Sequence, residues 1–484
     1  MTQRTPAQAA LRLTMAGLIT ASMAYALMQT FLIPALPVLQ RELHTSTGWV
    51  TWTVTAYLLS GAVATPIVSR LGDQHGKKRL MMISLGIFLL GSIGALAAPN
   101  VAVLIGFRAV QGVGGAVFPL SFAIIRDEFP PERMSVAMGI VSAVLGVGGG
   151  VGIALSGVIM DHLSWRWLFA VSAVIVAIAL ALVWRFVPES PIRAQSRVDI
   201  PGAALLSAAL IALLLACTEG KAWGWGSAAV LGLFAASAVL FVVWGIVELR
   251  VPQPMVDVRM LARRPVLFTN LTALISGFAL YMTWVILPQF FQLPRGLPAD
   301  LTPFADYGFG TTVTMAGVWI LPTSAAVLLG GPVAGLLGRR YGSRSPLVAG
   351  MLLVAVGAAG IALFHSSAGQ VASWFAVCGL GIGFAFAAMP KLIVDSVAPS
   401  ETGVANGMNT VIRIVGGVIG AQVGAVLLAN GAVAGGRVPG ESGFVHAFWI
   451  SAIGGIVGAV TAALVLPRRN RPARARVTPE LVAE

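Results

Sequence analysis

The chain has 484 residues, 57% of them hydrophobic and 10% charged, where a soluble domain carries roughly 25% charged residues. That composition excludes a water-soluble enzyme or binding module, which would lack the charge to cover its surface. The net charge of +13 does not point to nucleic acid, because the basic residues gather on one side of the predicted topology. Cys217 and Cys378 lie far apart in apolar runs, so there is neither a disulfide framework nor metal-ligand spacing.

A helix that crosses the hydrocarbon needs about 20 apolar residues, and fourteen such runs are predicted in chain order. The first six cover Leu13–Val38, Trp49–Ser69, Leu80–Ala98, Val101–Ile125, Ser135–Met160 and Trp167–Val187. Two more cover Pro201–Thr218 and Ser227–Val247. The last six cover Pro265–Phe290, Phe309–Leu336, Pro346–His365, Gln370–Val394, Thr402–Asn430 and Phe444–Leu466. The first run is too long for a signal peptide and has no small-residue cleavage site after it, so it reads as a retained helix. With the N-terminus inside, the 31 basic residues sort as 24 inside, 5 outside and 2 within spans. The positive-inside rule selects that orientation, with both termini cytoplasmic.

An internal repeat divides the chain. SRLGDQHGKKR (Ser69–Arg79) follows the second span and GLLGRRYGSR (Gly335–Arg344) follows the tenth. Leu71, Gly72 and Gly76 align with Leu337, Gly338 and Gly342. Two parallel six-helix halves with two inserted helices are the implied pattern. The expected division is residues 1–190, an inserted pair at 191–262, a second bundle at 263–467 and a basic tail at 468–484.

Several motifs resemble one family. WTVTAYLL (Trp52–Leu59), LIGFRAVQGVGGA (Leu104–Ala116), SWRWLF (Ser164–Phe169) and WGW (Trp223–Trp225) stand in order on the expected spans. With the Ser69–Arg79 loop, they resemble the fourteen-helix drug:proton antiporters of the major facilitator superfamily, along nearly the full length. The resemblance implies an all-α membrane fold and alternating-access efflux. It also implies the cytoplasmic (inner) membrane of a bacterium, a setting that fits the Arg- and Ala-rich composition. Two departures bear on proton coupling. Met28 occupies the position of the family's first-helix Asp, in LMQTFLIPALP (Leu27–Pro37). In GVGGGVGIALSG (Gly146–Gly157), Ile153 replaces a proline and Ser156 a glycine.

Ionisable groups at membrane depth are costly and point to function. Only Arg108 and Arg413 fall well inside the predicted spans, and none of the 18 acids does. A cavity with arginines and no carboxylate favours anionic or hydrogen-bond-accepting substrates. The alternative for Arg108 is a packing arginine bonded to backbone carbonyls or to Gln111. Asn406, Asn409 and Arg413 share one helix face; the alternative for them is an inter-helix seam. Gln29, Thr30, Tyr57, Tyr281, Trp284, Gln289 and Trp319 are candidates for the remaining cavity wall, each also readable as helix packing or an interface anchor. Pro288 and Pro322 are expected to kink their helices.

The expected gate is Asp73 with Gly76, Lys77, Lys78 and Arg79, and the resemblance implies Asp127 as its partner; Arg339 replaces the acid in the second copy. The alternative is an ordinary solvated loop. Gly148, Gly152 and Gly157, like Gly416, Gly420 and Gly424, form small-residue faces for close packing. Asp161, Glu219 and Asp306 are the outward proton-coupling candidates. The expected partners are a small-molecule substrate, protons and the lipid bilayer, for a monomeric chain with no nucleic acid, cofactor or metal. No nucleophile–base pair or nucleotide loop supports an enzyme. Other readings are a facilitator or anion-coupled carrier using Arg108 and Arg413, and a membrane module that transports nothing.

Overall fold

The computed structural model describes residues 6–192, 199–293, 307–430, 432–433 and 438–465. Among them are fourteen helices long and apolar enough to span a membrane. In chain order these are α1 (Pro6–Thr30), α2 (Thr47–His75), α3 (Lys77–Leu96), α4 (Val101–Glu128), α5 (Pro131–His162), α6 (Arg166–Phe186) and α7 (Ile200–Trp223). There follow α8 (Ala228–Arg250), α9 (Arg264–Gln292), α10 (Val313–Tyr341), α11 (Arg344–Leu363), α12 (Ala368–Val394), α13 (Thr402–Asn430) and α14 (Glu441–Ala463). A two-residue ladder pairs Ala432 with Pro439 and Val433 with Val438 before α14.

Hydropathy finds the spans but misplaces several ends. In hydrocarbon a helix satisfies its own backbone, and it continues into the interface past the residue where apolarity stops. Thus α2 runs six residues beyond Ser69 and carries Arg70, Asp73 and Gln74 inside its last turns. The first predicted span is instead cut short. α1 ends at Thr30, and the chain turns before a short helix at Leu36–Glu42, because Pro34 and Pro37 lack the N–H that would continue the ladder. Helix α4 contains a 3₁₀ stretch, Val113–Ala116. Pro288 and Pro322 lie inside continuous α9 and α10.

Longer helices also carry acids inward at their ends. Acids outside the apolar runs are nevertheless inside the folded body: Asp73 is fully buried, Glu248 is 3% exposed and the Asp127 side chain has no exposed surface. Each stands within a turn of a helix end, where hydropathy averaging had already closed the span.

Helices α1–α6 pack chiefly through α1 on α5 and α6, α2 on α4, and α3 on α6; α9–α14 pack through α9 on α13 and α14, α10 on α12, and α11 on α12 and α14. The two groups meet where α5 lies on α10 and α12, and where α13 lies on α2 and α4. Helix α7 lies against both α2 and α13, and α8 packs mainly on α7. The repeated loops share a device: α2 and α10 each stop at a glycine, Gly76 at φ 113° and Gly342 at φ 80°, a region costly for any residue with a Cβ.

The small-residue faces divide their work. Gly148 and Gly152 of α5 face Ala26 and Thr30 of α1, whereas Gly157 faces Thr314 of α10. Gly416, Gly420 and Gly424 all face α9, at Leu274, Phe278 and Ile286. Backbone meets backbone between the groups at Gly139 and Gly331, where a Cβ on Gly331 would stand 2.3 Å from the Gly139 carbonyl oxygen.

Candidate functional site

The expected gate lies on the face that carries the α2–α3 turn. Asp73 accepts hydrogen bonds from the backbone N–H groups of Gly403 at 3.2 Å and Val404 at 3.0 Å. These amides open α13 and lack partners within it, and a carboxylate at a helix N-terminus also meets the positive end of its dipole. The bond therefore crosses from the first group of helices to the second. Arg126 makes a parallel crossing: its guanidinium donates to the carbonyls of Val397 at 3.2 Å and Ala398 at 3.3 Å, and to the Thr402 hydroxyl.

The basic residues beside Asp73 turn elsewhere. Lys77 Nζ lies 2.6 Å from Asp127 Oδ2 and donates to Ser190 Oγ and the Ile192 carbonyl, each at 3.3 Å. Asp127 also accepts from the Ser190 hydroxyl. Glu189 caps α3 by accepting from Lys78 N at 3.1 Å and Arg79 N at 3.0 Å. A Cβ on Gly76 would meet its carboxyl carbon at 2.8 Å, so close approach as well as φ requires glycine there. Lys78 Nζ donates to the Trp184 carbonyl at 2.9 Å. The expected single cluster is thus two devices: Asp73 bridges the groups, and Lys77–Asp127 ties the loop to the segment after α6. Arg79 and Arg339 are exposed, and Arg339 makes no hydrogen bond to a described residue.

At membrane depth the two arginines differ. Arg108 is fully buried and saturated: it donates to the Thr53 carbonyl at 2.9 Å, Gln111 Oε1 at 2.8 Å and the Met28 carbonyl at 3.2 Å. Its guanidinium also sits 4.1 Å from the Tyr57 ring centroid. Gln111 passes the chain on to Ser92 Oγ at 2.8 Å, and Tyr57 donates to the Tyr25 carbonyl at 2.9 Å. Arg108, Gln111 and Tyr57 therefore form a packed network within α1–α4. Arg413 is 6% exposed, lies 4.5 Å over the Phe386 ring, and makes no hydrogen bond to any described residue.

Of the expected wall, Tyr281 and its partner Gln29 are the members near Arg413. Tyr281 of α9 donates to Gln29 Oε1 of α1 at 3.4 Å, and its ring edges Gly417, one turn from Arg413. Trp284 lies against Gly149 of α5 and holds a buried Nε1–H without a partner. Asn409 donates to Asn270 Oδ1 at 2.9 Å and so serves the α9–α13 seam, whereas Asn406 donates to the Thr402 carbonyl of its own helix at 3.0 Å and its Oδ1 has no partner among the described residues. Thr30 donates to the Leu27 and Gly148 carbonyls. Gln289 is exposed, and Trp319 stacks on Phe291 with 6.5 Å between centroids, away from this group. Phe386, Arg126, Glu189 and Ser190 carry no sequence signal that marks them; their roles exist only once distant helices meet.

On the opposite face, the exposed Asp161 accepts from the Thr314 hydroxyl at 2.5 Å, joining α5 to α10. Glu219 is half-buried, and Asp306 lies outside the described residues. Tyr307 donates to the Pro439 carbonyl at 2.6 Å, and burial pushes its phenol above the usual range. A cavity of about 860 Å³ opens beside Arg344, Lys391 and Asp395 within the second group, remote from Arg413. No group of three His, Cys, Asp or Glu able to hold a metal occurs among the described residues.

The chain is similar to the tetracenomycin C resistance and export protein of Streptomyces glaucescens, 28% identical over 84% of this chain and 74% of that one. It is 30% identical to multidrug resistance protein Stp of Mycobacterium tuberculosis, over 82% of this chain and 72% of the relative. The human organic anion transporter MFSD10 shares the fold, with a TM-score of 0.63 at 16% identity over 95% of this chain and all of that one. The family model of the Major Facilitator Superfamily matches residues 18–317 and again 269–481. With matches in both halves and fourteen membrane-length helices, the chain belongs to the Major Facilitator Superfamily.

Proposed function

We propose that this protein exports small amphipathic, drug-like molecules across the bacterial cytoplasmic membrane by alternating access. Residues 1–190 and 263–467 act as the two rocking bodies, 191–262 as the inserted pair and 468–484 as a tail. The face of Asp73 is cytoplasmic, with both termini on that side, and the chain works as a monomer. The observation that carries this reading is the cap of Asp73 on α13, a charged contact that closes one side between the bodies and is lost if they rock apart. The names of the relatives, which include export and multidrug resistance, supply the direction and class of cargo.

Arg413 is the substrate-facing cation, with Tyr281 and its partner Gln29 near it, and Arg108 holds the first body together. An unpaired guanidinium above an aromatic ring accepts carboxylates and other acceptors bidentately. The proton gradient drives export; one charge moved through 100 mV is worth about 2.3 kcal/mol. The test is efflux from cells loaded with anionic, neutral and cationic fluorescent antibiotics. Expression should lower accumulation of the first two classes, and accumulation equal to that of cells without the chain overturns the reading.

A second reading, a facilitator or anion-coupled carrier, is favoured by Met28, which buries a thioether where the resembled family places its acid. Purified protein in liposomes distinguishes the two: transport independent of an imposed pH gradient supports the facilitator.

A further inference from the structure

Glu248 stands at the gate-side end of α8, yet it is 3% exposed. Its Oε1 accepts from Trp244 Nε1 at 3.0 Å, and Val256 N–H lies 3.4 Å from Oε1 and 3.3 Å from Oε2. Asp199, at the start of α7, is 7% exposed. Its Oδ1 caps the helix by accepting from Gly202 N at 2.9 Å, and its buried Oδ2 has no hydrogen-bond partner among the described residues. Both carboxylates close on one glycine. A Cβ on Gly202 would lie 2.5 Å from Asp199 Oδ2 and 2.6 Å from Glu248 Oε1, so the two oxygens are no further apart than those lengths laid end to end.

Among the described residues, the charged groups on the neighbouring elements are engaged elsewhere or exposed. Arg70 of α2 donates to the Pro254 carbonyl at 3.1 Å, and Asp73 of α2 is spent on α13. Asp257 accepts from Arg259 N at 2.8 Å, and the Arg259 guanidinium faces the Leu249 carbonyl at 3.5 Å. Arg250 and Arg263 are exposed. From α13 come Val404, Met408, Val411 and Val415, apolar members of one cluster with Trp244, Met255 and Val256. None of these cations forms an ion pair with Asp199 or Glu248. Desolvation and mutual repulsion oppose a second negative charge on two buried carboxylates this close, so a proton shared between them relieves both.

We propose that Asp199 and Glu248 form a proton-binding dyad that holds one proton between them. The orphaned Asp199 Oδ2 stands across from Glu248 Oε1 and gives a proton held by the pair a second buried oxygen. On release, one O–H bond breaks, the proton passes to the aqueous phase on the gate side, and the pair is left with two negative charges. Repulsion then strains the grip of Glu248 on Val256, whose side chain packs with Val404 and Met408 of α13. Val404 also donates the amide that Asp73 accepts, so the dyad and the gate share a residue. This coupling rests on the proposed export function; the dyad itself does not.

The experiment uses full-length protein in liposomes and dicyclohexylcarbodiimide, which reacts with protonated carboxyls in apolar surroundings. Adducts are mapped by peptide mass spectrometry from acidic to alkaline buffer. An adduct on Glu248 or Asp199 that falls as pH rises is expected. In Asp199→Asn, which keeps the capping oxygen, labelling of Glu248 at neutral pH should fall about tenfold once its charged neighbour is gone. Absence of an adduct on both residues at every pH, or labelling indifferent to pH, overturns the dyad. Because labelling needs no transport, an exporter without the adduct sinks the dyad alone, and an adduct in a chain that exports nothing sinks the export reading alone.

Discussion

At the scale of single residues, burial alone does not separate Arg108 from Arg413; hydrogen-bond saturation does. Replacing Arg108 with Ala strips donors from Gln111 and two carbonyls, and each buried group left unpaired costs about 1–3 kcal/mol. A lower melting temperature of the purified protein is expected, with transport falling only as far as folded protein is lost. Arg413→Ala removes no such bond. Its melting temperature should hold while transport of anionic substrates falls: a hydrogen bond to a charged group is worth about 1.5–3 kcal/mol, or about ten- to a hundredfold in binding. Equal effects in both variants would refute the division. The sequence alone presents the two as equals, because saturation depends on Thr53 and Met28 carbonyls contributed by other helices. Asp73 is similar. Its motif marks it, but its partners are main-chain amides 330 residues away, and an amide has no side-chain signature.

At the scale of helices, spans are legible because hydrocarbon requires long apolar runs, and ends are not, because a helix outlasts its apolar stretch. The cap of Asp73 on α13 belongs to this scale. Losing such a cap costs about 0.5–2 kcal/mol, enough to shift a two-state balance severalfold. Spin labels on the exposed His75 and Tyr341 should report a wider separation in Asp73→Ala, and an unchanged distance distribution would remove the latch from the mechanism. The α5–α10 crossing is the second test. Gly331→Val drives a side chain into the Gly139 carbonyl, where even a Cβ would stand 2.3 Å away, and such overpacking typically costs about 1–3 kcal/mol. A lower melting temperature together with slower transport is expected, and wild-type values in both would show that the bodies do not meet there.

For the whole molecule, the proposed topology puts the basic face inside. A cysteine placed at Gly226, in the exposed turn between α7 and α8, should react with an impermeant maleimide on intact cells. One at His75 should react only after permeabilisation, and the buried Cys217 and Cys378 keep the background low. The reverse pattern would invert the orientation. The halves are visible in sequence through one repeated loop, but the placement of the inserted pair is not, since its apolar surfaces carry no mark of which helices they meet.

That placement has a consequence for the choice of host lipid. Helix α8 has 23 residues, a rise of about 34 Å at 1.5 Å each, against a hydrocarbon slab about 30 Å thick. Most of its surface is unburied, so its tilt answers to the thickness of the bilayer. Its companion α7 touches α2 and α13 together, the two helices that Asp73 joins. Lengthening or shortening the acyl chains should therefore change the transport rate with no change in substrate, and the bilayer would act on this transporter as a mechanical effector.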